Sequence, residues 1–173
     1  VEDAIQGACN IIAELCSEDA AFRHYLRTVL WKSAKIECSL LVEEADAQAM
    51  LTYKDFKESI HRIPSHRVLA INRGEAQKLL KVTLAANHDD YIAHLANTII
   101  KPASPYRELL ENTAADSYKR LIFPQMEREI RNELTVKSEQ QAIEVFAENL
   151  RHLLLTPPLP GHTILGLDPG YRT

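Results

Sequence analysis

Ser138-Glu139-Gln140-Gln141-Ala142-Ile143-Glu144-Val145-Phe146-Ala147-Glu148-Asn149-Leu150-Arg151-His152-Leu153 decides the fold class of this chain. Ser138 with Gln141 three residues on matches a capping box, which predicts a helix start. Ile143, Phe146, Leu150 and Leu153 then recur at helical spacing and predict a buried face. Working outward, the helical period extends back to about Tyr106 and forward to Leu155, the longest such tract in the sequence. Pro124 must kink or break it, because proline removes one backbone hydrogen bond and its ring meets the preceding turn. Lys119, Arg120, Arg128, Arg131 and Lys137 are interspersed with Glu127, Glu129 and Glu133, the pattern of a solvated helix face.

Upstream, Val1, Ile5, Ala8, Ile12 and Leu15 form an amphipathic stripe. Ser17 is a candidate N-cap for a second helix whose apolar face is Phe22, Leu26, Val29 and Leu30. Ile36, Cys38, Leu40 and Val42 alternate with Glu37 and Ser39 at the strand period, which Leu41 interrupts. Ala45 to Leu51 is a candidate short helix, with Tyr53 and Phe56 anchoring a loop. Pro64-Ser65 opens the next element. One reading is a helix capped by Ser65 and running through Val68, Ile71 and Leu79, followed by a short strand. The other is a hairpin turning at Arg73-Gly74, with Leu80, Val82 and Leu84 alternating on the return. Asn87 starts a helix with the stripe Ile92, Leu95, Ala96 and Ile99, and Pro102 and Pro105 separate it from the long tract.

Composition agrees with a mainly α chain, a multi-helical scaffold with one or two short β segments. Only 5 of 173 residues are glycine, and aromatics make up 6 %. Lys and Arg number 20 against 24 Asp and Glu, a net charge of −4. A basic nucleic-acid module carries a positive excess, so any such role here is local or lies elsewhere in a parent protein. No apolar run is long enough to span a bilayer, so no membrane partner is expected. Three cysteines, an odd number, fit a reducing compartment. Cys9, Cys16 and Cys38 occupy apolar positions and read as small core residues rather than nucleophiles. No Walker loop, Ser/His/Asp arrangement or Cys-x-x-Cys pair is present, and no cofactor is expected.

The densest basic cluster is His61-Arg62-Ile63-Pro64-Ser65-His66-Arg67 with Arg73. His66, Arg67 and Arg73 are the candidate nucleic-acid contacts, since arginines beside a helix start can hold phosphates. The structural alternative is that the arginines pair with acids or cap carbonyls between helices. His61 and His66 lack a third ligand at a helpful spacing for a metal.

Thr156-Pro157-Pro158-Leu159-Pro160-Gly161 is the clearest linker. Beyond it, Ile164 to Leu167 is a short apolar run ending on Asp168 before Pro169-Gly170. A strand with an acid at its tip is how RNase H-like domains begin. The sequence starts at Val1 with a helical stripe already running and stops five residues after Asp168. Together these features predict a piece ending in a truncated first strand of an RNase H-like domain. The expected organisation is 1–63, a helical region with a short strand; 64–156, a central helical region; 157–162, the linker; and 163–173, the start of the next domain. Asp168 alone cannot form a metal site, so no catalytic residue is assigned, and it is a metal-ligand candidate only within an intact domain.

Four ordered blocks carry a resemblance to the Tex family of transcription accessory proteins. They are Gln6-Gly7-Ala8 with Ile11-Ile12-Ala13-Glu14; the run Ile63-Pro64-Ser65-His66-Arg67-Val68-Leu69-Ala70-Ile71-Asn72-Arg73-Gly74-Glu75; the run Phe146 to Leu155 with Pro157-Pro158-Leu159; and the closing Leu165-Gly166-Leu167-Asp168-Pro169-Gly170-Tyr171-Arg172-Thr173. The last resembles the opening of the family's YqgF domain, which is RNase H-like. Lys35 to Ala49 and Ala85 to Glu111 carry little of the likeness. The resemblance implies a helical scaffold upstream of YqgF, with helix-hairpin-helix motifs and an OB-fold RNA-binding domain further on. It implies a cytoplasmic parent linked to transcription, with RNA or DNA as partner and RNA polymerase as a further one, and a eukaryotic relative acting as elongation factor and histone chaperone. Tex-type YqgF domains are taken to have lost nuclease activity, so the implied role is non-enzymatic. The rival expectation is a metal-dependent nuclease or resolvase with Asp168 as its first ligand.

Overall fold

The computed structural model describes residues 2–101, 104–168 and 170. Val1, Pro102, Pro169 and Tyr171-Arg172-Thr173, on which some sequence expectations rest, lie outside these residues. Six α-helices and a small antiparallel sheet follow in the order α1 (Glu2–Glu18), α2 (Ala20–Ser33), β1 (Lys35–Leu40), β2 (Phe56–Ser59), α3 (Ser65–Ala76), β3 (Leu80–Ala85), α4 (His88–Ile99), α5 (Arg107–Asp116) and α6 (Phe123–Leu154). The architecture is mainly α, as composition and period indicate.

α2 begins at Asp19 rather than Ser17: the Asp19 carboxylate accepts from Phe22 N at 2.9 Å, while Ser17 Oγ donates back to Glu14 O within α1. Its expected face is real, with Phe22, Leu26 and Leu30 buried. α1 is turned relative to its expected stripe. Ile5 and Leu15 are exposed, and Ala13 and Cys16 are buried instead. Ser117 Oγ donates to Ala13 O at 2.6 Å, an approach that only small residues at the contact permit.

The sheet has the strand order β2-β1-β3. Ile36 and Cys38 face the core, opposite Leu84 and Val82 on β3. β2 escapes a period reading because Phe56-Lys57-Glu58-Ser59 contains a single apolar residue; its Phe56 pairs with Cys38 in register. Val42 lies past the end of β1, and a 3₁₀ turn at Gln48–Tyr53 stands where a short helix is expected from Ala45. The Tyr53 and Phe56 rings meet edge to face at 5.4 Å. Pro64-Ser65 opens a helix, not a hairpin, and the return strand β3 buries Leu80, Val82 and Leu84 in strict alternation.

α5 and α6 form one continuous helical run, joined by a π turn at Ser117–Ile122. Pro124 therefore neither breaks nor ends the tract. It sits in the first turn of α6, where the π turn has already shifted the bonding ladder: Phe123 N donates to Tyr118 O, five residues back. Ser138 starts no helix. Met126, Ile130, Leu134 and Ser138 recur every four residues along one buried row, so the packing that holds Leu134 carries α6 straight through. At 32 residues α6 is about 48 Å long. Its first half is the spine of the core, between α2, α3 and β3. Glu127 accepts from Leu84 N at 2.8 Å on the outer edge of β3, and Arg27 and Glu129 tie α2 to α6. Tyr118 is fully buried against His88, Tyr91 and Phe123, with its hydroxyl 3.0 Å from His88 Nδ1.

The second half of α6 is bare. Ile143, Phe146, Leu150 and Leu153, expected in the core, are 61, 66, 40 and 70 % exposed. α3 covers α6 only as far as Gln141, where Ser65 Oγ meets Gln141 Oε1. Among the described residues nothing packs beyond that point. Residues 162–168 form no strand either: Ile164, Leu165 and Leu167 are 70, 81 and 85 % exposed. A strand needs a hydrogen-bonded neighbour, and none lies beside this segment among the described residues.

Candidate functional site

The residues expected to contact nucleic acid all lie on α3, but the helix separates them. His66 is at the mouth of a cleft between the start of α3 and the distal half of α6. Arg67 points away from the cleft, toward the sheet. Its Nη1 donates to Glu58 Oε2 at 2.8 Å, and its guanidinium lies 5.9 Å from the centre of the Phe56 ring. Arg73 is exposed in the last turn of α3, with no salt bridge among the described residues. Six residues apart on one helix, Arg67 and Arg73 differ by about 240° in direction. The structure does not assemble the three side chains into one phosphate clamp. Asp168 is not joined by another acid among the described residues: its Oδ1 accepts from Gly170 N at 3.0 Å. Among the described residues no group of three His, Cys, Asp or Glu side chains is gathered for a metal ion.

The cleft is a concavity of about 560 Å³. Ile60, Ile63 and Leu69 form one wall, and Leu134, Val145 and Phe146 the other. Ser65, Gln141 and Asn149 place hydrogen-bonding groups at the rim, with Lys137, His61 and His66. Two pairs fix the helices that frame it. Arg131 donates to both carboxylate oxygens of Glu75, with Nη1 to Oε1 at 2.8 Å, and Asn72 Nδ2 donates to Thr135 Oγ1 at 2.8 Å. The Glu75 carboxylate raises the pKa of Arg131 further, so this guanidinium stays charged throughout the folded range. The cleft wall on α6 is not evident from sequence blocks: Lys137 belongs there to a solvated face and Phe146 to a core stripe. The usable signal is the helical row Leu134, Ser138, Gln141, Val145 and Asn149.

The cysteines behave as small core residues. Cys16 and Cys38 are buried and Cys9 is half-buried, all three unpaired. Burial pushes the Cys38 thiol up to about 11 and raises Cys16 as well.

The profile of the Tex central region matches residues 1–146. The chain belongs to the Tex family. This Tex region is 46 % identical to the Bacillus subtilis protein YdcI over 99 % of the chain and 24 % of that protein. It is 35 % identical to the human S1 RNA-binding domain-containing protein 1, covering 99 % of the chain and 19 % of the relative. It is 34 % identical to the transcriptional accessory protein Tex of Neisseria gonorrhoeae, covering 98 % and 23 %. The chain thus spans about a quarter or less of the length of the curated relatives it matches. Among the described residues no helix is long and apolar enough to cross a membrane.

Proposed function

We propose that this Tex region is a non-enzymatic helical scaffold within a nucleic-acid-binding transcription accessory protein, and that α6 sets the positions of nucleic-acid modules elsewhere in the parent. The observation that carries the reading is the division of α6: one half is locked into the core, and the other projects with an apolar face uncovered. A rigid arm anchored at one end is suited to orient what it touches at the other. Two relatives are named for S1 RNA binding and for transcription, which supports a nucleic-acid role for the parent. The charge distribution supports an indirect part for this region. Acidic residues outnumber basic ones 24 to 20, and Arg23, Arg27, Arg67, Arg107, Arg120 and Arg131 are engaged with carboxylates, so the net charge opposes a strong phosphate-binding role for this region. RNA polymerase as a protein partner and a cytoplasmic location belong to the same reading.

The test compares this chain with the longer parent, binding single-stranded RNA and duplex DNA across a salt series. The chain alone is expected to bind more weakly than about 1 μM, and the parent more tightly. Glu139→Pro in the parent, which disrupts α6 just past the core at a cost of about 3 kcal/mol, should weaken binding while the modules stay folded. Unchanged affinity in that variant would refute the scaffold role. On this reading the chain does not hydrolyse nucleic acid with magnesium or manganese. Cleavage that disappears with Asp168→Asn would restore the nuclease alternative.

A further inference from the structure

The lining of the α3–α6 cleft departs from the charge balance of the chain. Acidic residues outnumber basic ones overall, 24 to 20, yet no Asp or Glu lines the cleft. Lys137 stands on the α6 side, His61 and His66 on the other, and Arg62 is exposed in the same loop. α3 begins at this rim with no acidic residue in its first turn and no side-chain cap from Pro64. Its leading N–H groups therefore add positive potential there. Two glutamates on the distal half of α6 are engaged along the helix itself: Glu144 accepts from Gln140 at 3.2 Å, and Glu148 lies 3.7 Å from His152. Between the rims the walls are branched aliphatics, with one aromatic, Phe146. Such walls accept the side-chain knobs of a helix; a single exposed aromatic ring on them is too few to stack successive bases along a strand.

We infer that this cleft docks an acidic amphipathic helix of a protein partner. Leucine-type residues at i, i+3 or i+4, and i+7 seat between Leu69 and Val145, and flanking carboxylates meet Lys137, Arg62 and the start of α3. The exposed face of α6 through Phe146 and Leu150 continues the apolar track past the cleft. The Ser65–Gln141 hydrogen bond holds the mouth in place without closing it. This partner is additional to the scaffold role and does not require RNA.

The probe is a fluorescein-labelled peptide of about 16 residues, with leucines at helical spacing and Glu and Asp elsewhere, measured by anisotropy with the 173-residue chain. A control peptide keeps the leucines and carries Lys in place of the acids. The acidic peptide is expected to bind with a dissociation constant on the order of 10 μM at low salt and to weaken as salt rises. The basic control should bind at least about tenfold more weakly. Lys137→Glu should cost the acidic peptide about tenfold, and Val145→Asp should remove binding. Both positions are exposed, and far-UV circular dichroism checks that each variant keeps its helices. Equal binding of the two peptides, or none by either, would overturn the inference. Displacement of the acidic peptide by oligouridine would make the cleft an RNA site and overturn it too. So would sedimentation showing a dimer of the free chain that Val145→Asp dissociates, because a second copy would then be the occupant. None of these failures touches the scaffold reading, which is read out by Glu139→Pro in the parent.

Discussion

Gly74 lies inside α3, buried, where a helix would ordinarily gain from almost any residue except proline. Replacing glycine by alanine in a helix interior is worth about 1 kcal/mol. Here the added methyl would stand 2.6 Å from Leu80 Cδ1, 2.9 Å from Leu80 Cγ and 3.2 Å from Met50 Sδ. The Met50 thioether can yield, but Leu80 is 1 % exposed and its Cγ sits close to the strand backbone, so it cannot swing clear. Overpacking of this kind costs about 1–3 kcal/mol. The two effects oppose, and the contact below 3 Å with Cγ puts the cost toward the upper part of that range. Gly74→Ala is therefore expected to destabilise by about 1–2 kcal/mol net, or about 3–6 °C in thermal midpoint for a chain of this size. Urea unfolding followed by far-UV circular dichroism measures it. A second background isolates the cause. Leu80→Ala alone should cost about 2–5 kcal/mol, but it opens the space the methyl needs. In that background Gly74→Ala should stabilise, giving a coupling of about 2–3 kcal/mol. A Gly74→Ala protein more stable than wild type, or the same penalty with and without Leu80, would refute the idea that α3 rests directly on β3 through this glycine.

Arg131→Met should lower stability by about 1–2 kcal/mol, because it leaves Glu75 without its two-point partner in a half-buried site; the loss should shrink in high salt, read by urea midpoints at two ionic strengths. Arg67→Ala should lower the thermal midpoint by a few degrees at most, since its pair with Glu58 is largely exposed and worth about 0.5–1 kcal/mol together with the Phe56 contact. Arg73→Ala should leave melting unchanged, and a loss of RNA affinity in the parent with either arginine variant at constant melting would make α3 a binding surface. Thiol titration with a disulfide reagent should modify Cys9 first in the native chain, with Cys16 and Cys38 reacting only after denaturant is added, because burial disfavours their thiolates; fast native reaction of Cys38 would contradict its place in the sheet.

The legible and illegible parts of this fold divide along a physical line. Period finds the buried face of α2 and the alternation of β3, because both carry their apolar residues at a clean helical or strand spacing; for α3 it leaves helix and hairpin both open, and packing on α6 decides for the helix. β2 was invisible, since its place is dictated by pairing with β1 and not by its own composition. Sequence does not choose between Ser17 and Asp19 as the cap of α2, because both are good caps, and the bond to Phe22 N assigns it to Asp19.

The error over α6 is the most informative, because a correct pattern gave a wrong burial. Ile143, Phe146, Leu150 and Leu153 are spaced like a core stripe and belong to a helix, yet they stand in water. Burying such a face typically contributes about 1.5–3 kcal/mol per large side chain, and the described residues leave this stripe without that contribution. Its neighbour on the helix, the row Leu134 to Asn149, became one wall of the cleft for the same reason: α3 covers α6 only up to Gln141, and what lies beyond is surface. Sequence periodicity reports that a face is apolar and never reports what covers it. For α6 that second fact sets the order of the experiments. The Val145→Asp variant separates a cleft that takes a partner from a face that merely lacks one, and the Glu139→Pro variant separates both from an arm whose rigidity is the point.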